Sequence, residues 1–529
     1  MVTADEPSRN VSRRALLRGL GAGAVTVPLS GLLSGGSTAV GAAPTALAVA
    51  PPPEVAGLWG APFIGPQSVI AVHSAMLRTG KVLLFYGNPL AALWEPATGN
   101  VQEVDAPVDV FCAGQCFLPD GRLLVVGGAI DGRNEAGPPY VHTFDPITAL
   151  WTRHGDMRQG RYYPTTTLMG DGKVLITNGN TVAGPSVLNE DLEVFDPATN
   201  TTTLVGTKRI GLYAHQALLP DGTVMVGGPA RIDSCRINPQ GWIITKYSSM
   251  LAAHALGGGF LVPGPASGSW KMMVTGGASV ATAEQFDPTT SQKWQLKSPL
   301  PLDRAFMCTV LLPDGKVLGI GGESGVIASA SGAATTAAAA GTSTAPIDGA
   351  VYCDLDKSVL ERAPKLTAGI PQQQSLMYDP AANTWTTMAT QTDPRGYHTS
   401  AVLLPDGRVL SAGGTGVTGA TDHLEIYSPP YLFKGARPVI TSAPAKLTYG
   451  LPFIIGTPDA VSRVVLMAPG ANTHTNDMSQ RHVELTFTAT TGRIRATAPP
   501  TSNVAPPSYY MLFILNAAGV PSVARWVQL

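Results

Sequence analysis

The chain is short of charge. Lys, Arg, Asp and Glu together make up 13% of its 529 residues, roughly half the share of an ordinary globular protein. The formal net charge of -1 gives no electrostatic footprint for nucleic acid or for an anionic membrane surface. Long apolar runs are also missing: outside the first 50 residues no segment is apolar enough to span a bilayer. Paired carboxylates with neighbouring arginines, as a propeller-type hydrolase would need, are not evident. Cysteine is scarce and odd in number, five residues (Cys112, Cys116, Cys235, Cys308 and Cys353), so not every sulfur can sit in an intramolecular disulfide.

Glycine (59) and proline (45) are plentiful. Both punctuate turns and are poor in helix interiors, a mix that suits many short strands. The N-terminus reads as an address. Ser12-Arg13-Arg14-Ala15-Leu16-Leu17-Arg18 is a twin-arginine pattern followed by a small-residue apolar stretch over 19–33. Ala48-Val49-Ala50 offers a cleavage site, with an earlier cut near Ala43 as an option. The expectation is a leader over 1–50, export by the twin-arginine route to the cell envelope or beyond, and no membrane span in the mature form; a basic patch before a membrane anchor is the other reading.

An apolar strand, a Pro-Asp-Gly type turn, a second apolar strand and a glycine pair recur along the chain. The copies turn at Asp120-Gly121, Asp221-Gly222, Asp314-Gly315 and Asp406-Gly407, with Gly127-Gly128, Gly227-Gly228, Gly321-Gly322 and Gly413-Gly414 following. Asp171-Gly172 is a weaker copy, Leu77-Arg78-Thr79-Gly80 opens the series, and Gly276-Gly277 closes a degenerate one. Each is followed by an aromatic strand and a second turn, as in Phe144-Asp145-Pro146, Phe195-Asp196-Pro197 and Phe286-Asp287-Pro288. Four short strands per period of about 50 residues describe a kelch-type blade. The expected fold is therefore all-β: a seven-bladed kelch-type β-propeller over 51–434, with an insert at about 323–350, followed by an immunoglobulin-like β-sandwich over 435–529.

The turn aspartate serves as a ruler, because equivalent positions in successive blades recur around one axis. Eight residues before Asp120, Asp171, Asp221, Asp314 and Asp406 stand Cys112, Tyr163, Tyr213, Phe306 and His398, with Tyr397 adjoining. Taken singly, an aromatic residue at a strand head is packing and a lone cysteine is a small hydrophobe. Together they form a ring of thiol, phenol and imidazole. Imidazole nitrogen and phenolate oxygen suit Cu(II). Neighbours on a regular strand face opposite ways, so Tyr397 and His398 can share a metal only where the backbone is just entering the strand. A further ligand candidate is His474, in the polar stretch Gly470-Ala471-Asn472-Thr473-His474-Thr475-Asn476-Asp477, placed to project from the C-terminal domain into the propeller.

Phe111-Cys112-Ala113-Gly114, Arg161-Tyr162-Tyr163-Pro164, Arg395-Gly396-Tyr397-His398 and Thr473-His474-Thr475 resemble, in order and spacing, the motifs of the copper radical oxidases, the galactose oxidase and glyoxal oxidase family. The resemblance runs from about residue 55 to the end of the chain. It implies one copper ion held by Tyr163, His398 and His474 with Tyr397 axial, and a protein-derived radical cofactor, Tyr163 joined to Cys112 by a thioether. It implies oxidation of a small aldehyde or primary alcohol by dioxygen with release of hydrogen peroxide, Tyr397 accepting the substrate proton. Tyr213 and Phe306 are candidate pocket walls or packing. The sequence departs from the galactose oxidases at Thr181, where they carry a tryptophan stacked on the linked tyrosine. This departure, and the lack of their N-terminal carbohydrate-binding domain, lean toward the glyoxal oxidase branch. The competing expectation is a non-catalytic kelch propeller that binds a glycan or a protein, which would not need Cys112, Tyr163, Tyr397, His398 and His474 together.

Overall fold

The repeated turn translates directly into geometry. The computed structural model describes residues 51–529 except 66–68, 88–89, 131–134, 185–186, 229–233, 255, 265–268, 291–292, 327, 330–364, 367–368 and 417–418. Asp120, Asp171, Asp221, Asp314 and Asp406 each accept the backbone N–H two residues on, at 3.0 to 3.2 Å. The glycine that follows each adopts φ of 81 to 85°, a left-handed conformation that costs a residue without a Cβ nothing. The expected leader over 1–50 and most of the expected insert lie outside the described residues.

The chain is all-β, as expected from its composition. Among the described residues helix is confined to Pro53–Ala56 and the 3-10 turn Pro430–Phe433. From His73 to Ser428 the strands pair as a repeated antiparallel meander of four. Three meanders are separate four-stranded sheets, two are joined within a ten-stranded sheet, and two carry a fifth short strand. Their first strands are His73–Met76, Gly114–Phe117, Thr165–Leu168, His215–Leu218, Gly258–Pro263, Cys308–Leu311 and Thr399–Leu403. From the second onward each packs beside the next, the seventh packs beside the first, and Ala471–Thr473 stands between the first and the second. The outermost place in the seventh sheet is taken by Leu58–Trp59, paired with Ser428 and Tyr427. In the sixth sheet the third strand is Ile370–Asp379, so the inserted stretch leaves the meander between its second and third strands.

Aromatic residues of the third strands, Phe144, Phe195, Phe286, Tyr378 and Tyr427, are fully buried. Beyond residue 434, a three-stranded and a four-stranded antiparallel sheet share a core that includes Ile455, Ile494, Val464, Leu466, Val483, Leu512 and Ile514.

Buried polar pairs fix the approach to the first strands. Arg161 pairs with Glu193 at 2.7 Å, His254 with Glu284 at 3.2 Å and Arg395 with Glu425 at 3.3 Å, all six side chains shut away from solvent. The same carboxylates accept backbone N–H groups just upstream, from Arg158, from Leu251 and Ala252, and from Thr392 and Asp393. The guanidinium groups of Arg161, Arg304 and Arg395 also donate to the carbonyls of Asn178, Gly321 and Gly413. Each entry segment then presses its carbonyl into the glycine pair of the preceding sheet. A Cβ on Gly127, Gly276 or Gly321 would lie 2.1, 2.4 or 2.8 Å from the carbonyl oxygen of Arg161, Arg304 or Arg395. The glycine pairs are required by this close approach.

Removing one partner of such a pair strands the other charge in a medium that cannot solvate it. Glu425→Ala is therefore expected to cost about 3–5 kcal/mol in urea unfolding. Glu484→Ala, which breaks the half-exposed Arg463 pair, is expected to cost about 0–1 kcal/mol. Equal costs at the two positions would remove the structural role given to Glu425.

Candidate metal centre

In six of the seven sheets the residue entering the first strand is held in the left-handed region without being glycine. Cys112, Tyr163, Tyr213, Leu256, Phe306 and His398 have φ of 59, 63, 44, 63, 58 and 70°. Five of these residues are also linked by backbone hydrogen bonds. The Tyr163 N–H donates to the Cys112 carbonyl at 3.0 Å, that of Tyr213 to Tyr163 at 3.1 Å, and that of Phe306 to Leu256 at 2.8 Å. The common register of Cys112, Tyr163, Tyr213, Phe306 and His398 is thus a shared backbone conformation. Leu256 escapes the turn ruler because the fifth repeat lacks the Asp-Gly turn.

His474 arrives from the C-terminal sheets on a tight hairpin, Ala471–Thr473 with Asn476–Asp477. The hairpin is hydrogen-bonded to the first strand of the first sheet on one side, His73 opposite Thr473, and to that of the fifth on the other, Gly259 beside Asn476. Its two turn residues, His474 and Thr475, have φ of 48 and 67°. Such a turn ordinarily takes Asn-Gly, and a β-branched residue there is strained. The Asp477 carboxylate closes the base, accepting the N–H groups of Ala471, Ser479 and Gln480 at 3.0, 3.1 and 3.0 Å.

These elements bring five functional groups together. The phenol oxygens of Tyr163 and Tyr397 are 2.6 Å apart. The Tyr397 and His398 rings stack with centroids 3.7 Å apart, and the His398 and His474 rings meet edge-on at 4.6 Å. The Cys112 sulfur lies 3.3 Å from His474 Nε2, and the ligand atoms of Cys112, His398 and His474 all fall within 4.8 Å of one another. The Thr473 hydroxyl donates to the Val72 carbonyl and so accepts from His474 Nδ1, at 2.6 Å. That contact fixes the tautomer and leaves the Nε2 lone pair facing the centre.

Burial sets the protonation states. It lowers His398 to about 4, and lowers His474 well below its ordinary value, with the charges of His398 and His73 adding to the effect. Both imidazoles are therefore neutral ligands at neutral pH. Burial raises the Tyr163 and Tyr397 phenols and the Cys112 thiol, so each gives up a proton only to something that replaces it, such as a cation. His398 Nε2 is buried without a hydrogen-bond partner. Two imidazoles and two phenols around an unsatisfied nitrogen fit a borderline metal such as Cu(II).

Of the two wall candidates, Phe306 is buried with its ring 4.5 Å from Tyr397. Tyr213 is buried, donates its hydroxyl to the Ala113 carbonyl at 2.9 Å, and lies 4.9 Å from the His474 ring, which makes it packing for the hairpin tip. Thr181 is buried and leaves the Tyr163 ring to two other aromatics, Tyr162 at 4.3 Å and Tyr213 at 4.9 Å. Tyr162 was open to notice as half of a Tyr-Tyr doublet. His73, which accepts the Cys112 N–H at 3.1 Å, carries no comparable signal in the sequence. Cys235 is disulfide-bonded, whereas Cys112, Cys116 and Cys308 are free and buried.

Five histidines lowered chiefly by desolvation give the protein an acid limit. His73 is lowered from 6.5 to about 3, and His142, His215, His398 and His482 to about 4, each chiefly by burial. The unfolded chain then binds more protons than the folded one, so stability rises with pH in this window. The melting temperature of metal-free protein is expected to fall progressively from pH 6.5 toward pH 4, and His142→Leu, far from the centre, is expected to flatten the decline. A flat profile over that range would contradict these assignments.

Comparison with known proteins agrees with this geometry. Residues 437–529 match the family model described as "Galactose oxidase-like, Early set domain". A galactose oxidase from Gibberella zeae is 28% identical, the match covering 90% of this chain and 71% of that protein. The aldehyde oxidase GLOX of Vitis pseudoreticulata is 29% identical, over 82% of this chain and 84% of that one. A solved structure described as a novel fungal alcohol oxidase of the AA5 family, in complex with copper, superposes with a TM-score of 0.72 at 23% identity, covering 90% of this chain and 99% of that chain. With the phenols, imidazoles and thiol of its centre drawn from the positions that carry the quoted motifs, these similarities support a copper-dependent oxidase of the copper radical oxidase type.

Proposed function

We propose that the chain oxidises a small aldehyde or primary alcohol with dioxygen, yielding the acid or aldehyde and hydrogen peroxide, through a Cys112–Tyr163 thioether radical. The observation that carries this reading is the meeting of two phenols, two neutral imidazoles and one thiol at a single buried point. Tyr163, Tyr397, His398 and His474 would hold the copper ion, which when bound would supply a Lewis acid for the substrate oxygen and an acceptor for one of the two electrons removed. The chain's residues do the rest. Tyr397 accepts the hydroxyl proton of the alcohol, or of the hydrate that an aldehyde forms with water, and its phenol is suited to this because burial makes it strongly basic once deprotonated. The thioether-linked Tyr163, in its oxidised form, takes the hydrogen atom from the substrate carbon and with it the second electron. Dioxygen takes up both electrons and both protons.

In this reading the seven meanders are the blades of a kelch-type propeller over 51–434, the last two sheets are an immunoglobulin-like sandwich over 435–529, and residues 1–50 are a twin-arginine leader for secretion. Small molecules and dioxygen are the partners, and the glyoxal oxidase branch supplies the substrate class.

Protein loaded with copper in air and then reduced is expected to weigh two hydrogens less than its copper-free control by intact mass. Cys112→Ser and Tyr163→Phe are expected to abolish that loss. No loss in the unaltered chain would overturn the proposal. His398→Ala and His474→Ala are expected to weaken Cu(II) binding by more than about 10-fold in chelator competition, since even changes one shell further out cost that much.

A further inference from the structure

One buried carboxylate beside the centre has no part in the chemistry above. Glu323 follows the glycine pair of the sixth sheet and is 7% exposed. Its Oε1 accepts the Tyr397 backbone N–H at 2.8 Å, and its Oε2 accepts that of Gly369 at 3.1 Å. Its own backbone exchanges hydrogen bonds of 2.7 and 2.8 Å with Ala305, the residue before Phe306. A single residue therefore ties together the entry of the sixth sheet, through its backbone, and the return of the inserted stretch and the residue next to His398, through its side chain.

The seventh entry needs such a tie because it is longer than the others. In the third, fifth and sixth sheets the buried Arg161, His254 or Arg304 stands two residues before the left-handed residue, Tyr163, Leu256 or Phe306; in the seventh, Arg395 stands three before His398. The seventh entry carries one residue more, and that extra length lifts the Tyr397 ring over His398. The N–H groups of Tyr163 and Phe306 go to carbonyls of the ring of entry residues, whereas that of Tyr397 goes to Glu323. Gly396 makes room for it: a Cβ there would lie 2.2 Å from Glu323 Oε1 and 2.8 Å from its Cγ. Gly396 is not in the left-handed region, so what it contributes is space.

We infer that Glu323 is a positioning residue for Tyr397: it holds the extra residue of the seventh entry so that the phenol stands over His398 and against Tyr163. This rests on the proposed role of Tyr397 as proton acceptor.

The test uses the full copper-loaded chain and a cycle of Glu323→Ala, Gly396→Ala and the double variant, with Glu323→Gln alongside. Glu323→Ala is expected to lower kcat by about 100-fold, the size of effect that a displacement of about 1 Å produces, with little change in KM. The two-hydrogen mass loss should still form, because Cys112 and Tyr163 are held elsewhere. The phenolate-to-copper absorption that appears on adding Cu(II) is expected to change with it. Glu323→Gln keeps an acceptor for the Tyr397 N–H and is expected to restore kcat to within about 10-fold. Gly396→Ala, which pushes against the carboxylate, is expected to be harmful alone and to add nothing when combined with Glu323→Ala, a failure of additivity that marks direct coupling. Overturning results are a Glu323→Ala variant with wild-type absorption and kcat within about two-fold, or a Gly396→Ala effect that is equally large in the double variant. If Glu323→Ala does not fold, the Gln variant and Gly396→Ala carry the same comparison. If the unaltered chain neither consumes dioxygen nor loses mass, the functional reading fails, and the copper absorption still reports whether Glu323 places Tyr397.

Discussion

A charge shut away from water has to be answered where it stands, and this chain uses that demand to aim its first strands. Arg161, His254 and Arg395 sit between a carboxylate of their own sheet and the carbonyl that ends its second strand. Each is thereby fixed at both ends, and the peptide just beyond it is forced against the glycine pair of the sheet before. Arg304 follows the same path with carbonyl partners alone, Gly321 and Gln374. Once these contacts are made, the next residue or two have little freedom, and the chain turns through the left-handed region into the strand. The side chains of Tyr163, Phe306 and His398 are placed by backbone constraint before any metal is considered.

The centre is accordingly strained. Six non-glycine residues of left-handed φ line the strand entries, and two more form the hairpin tip; conformations of this kind persist only where the surroundings over-determine them. Here the over-determination is visible. His474 is fixed by its Nδ1 contact to Thr473, by strand bonds to the first and fifth sheets, and by the Asp477 carboxylate at the hairpin base. The neutral imidazoles and reluctant phenols follow from the same burial.

Much of this was legible before the structure. The turn aspartates marked register because each makes the same local bond to the backbone, so counting back from them reached equivalent points in successive sheets. Tyr397 and His398 could be read as sharing one centre because a strand entry need not obey the alternation of a strand. The rest depends on residues remote in sequence. Leu256 had no turn to count from. His73 matters only because the hairpin of the C-terminal sheets lies beside its strand. Glu323 looks like any acidic residue after a glycine pair until Gly396 is seen to leave room for it. The use of Arg161 and Arg395 as clamps was hidden because their glutamates lie 32 and 30 residues away. No local pattern of propensity or periodicity links positions so far apart.

The seventh sheet, which supplies Tyr397 and His398, is completed by Leu58–Trp59, and the hairpin bearing His474 comes from beyond residue 470. The first strand of the described residues thus waits for a partner made about 370 residues later, as the bond from the Tyr427 hydroxyl to the Ala56 carbonyl illustrates with its separation of 371. Closing so large a loop is slow compared with forming any single meander. Order in the middle sheets therefore precedes order at the centre, and a nascent chain holds Cys112 and Tyr163 long before it holds anything that can keep a metal beside them. The thiol and the ring meet first as neighbours in a protein fold and only afterwards as parts of a coordination site.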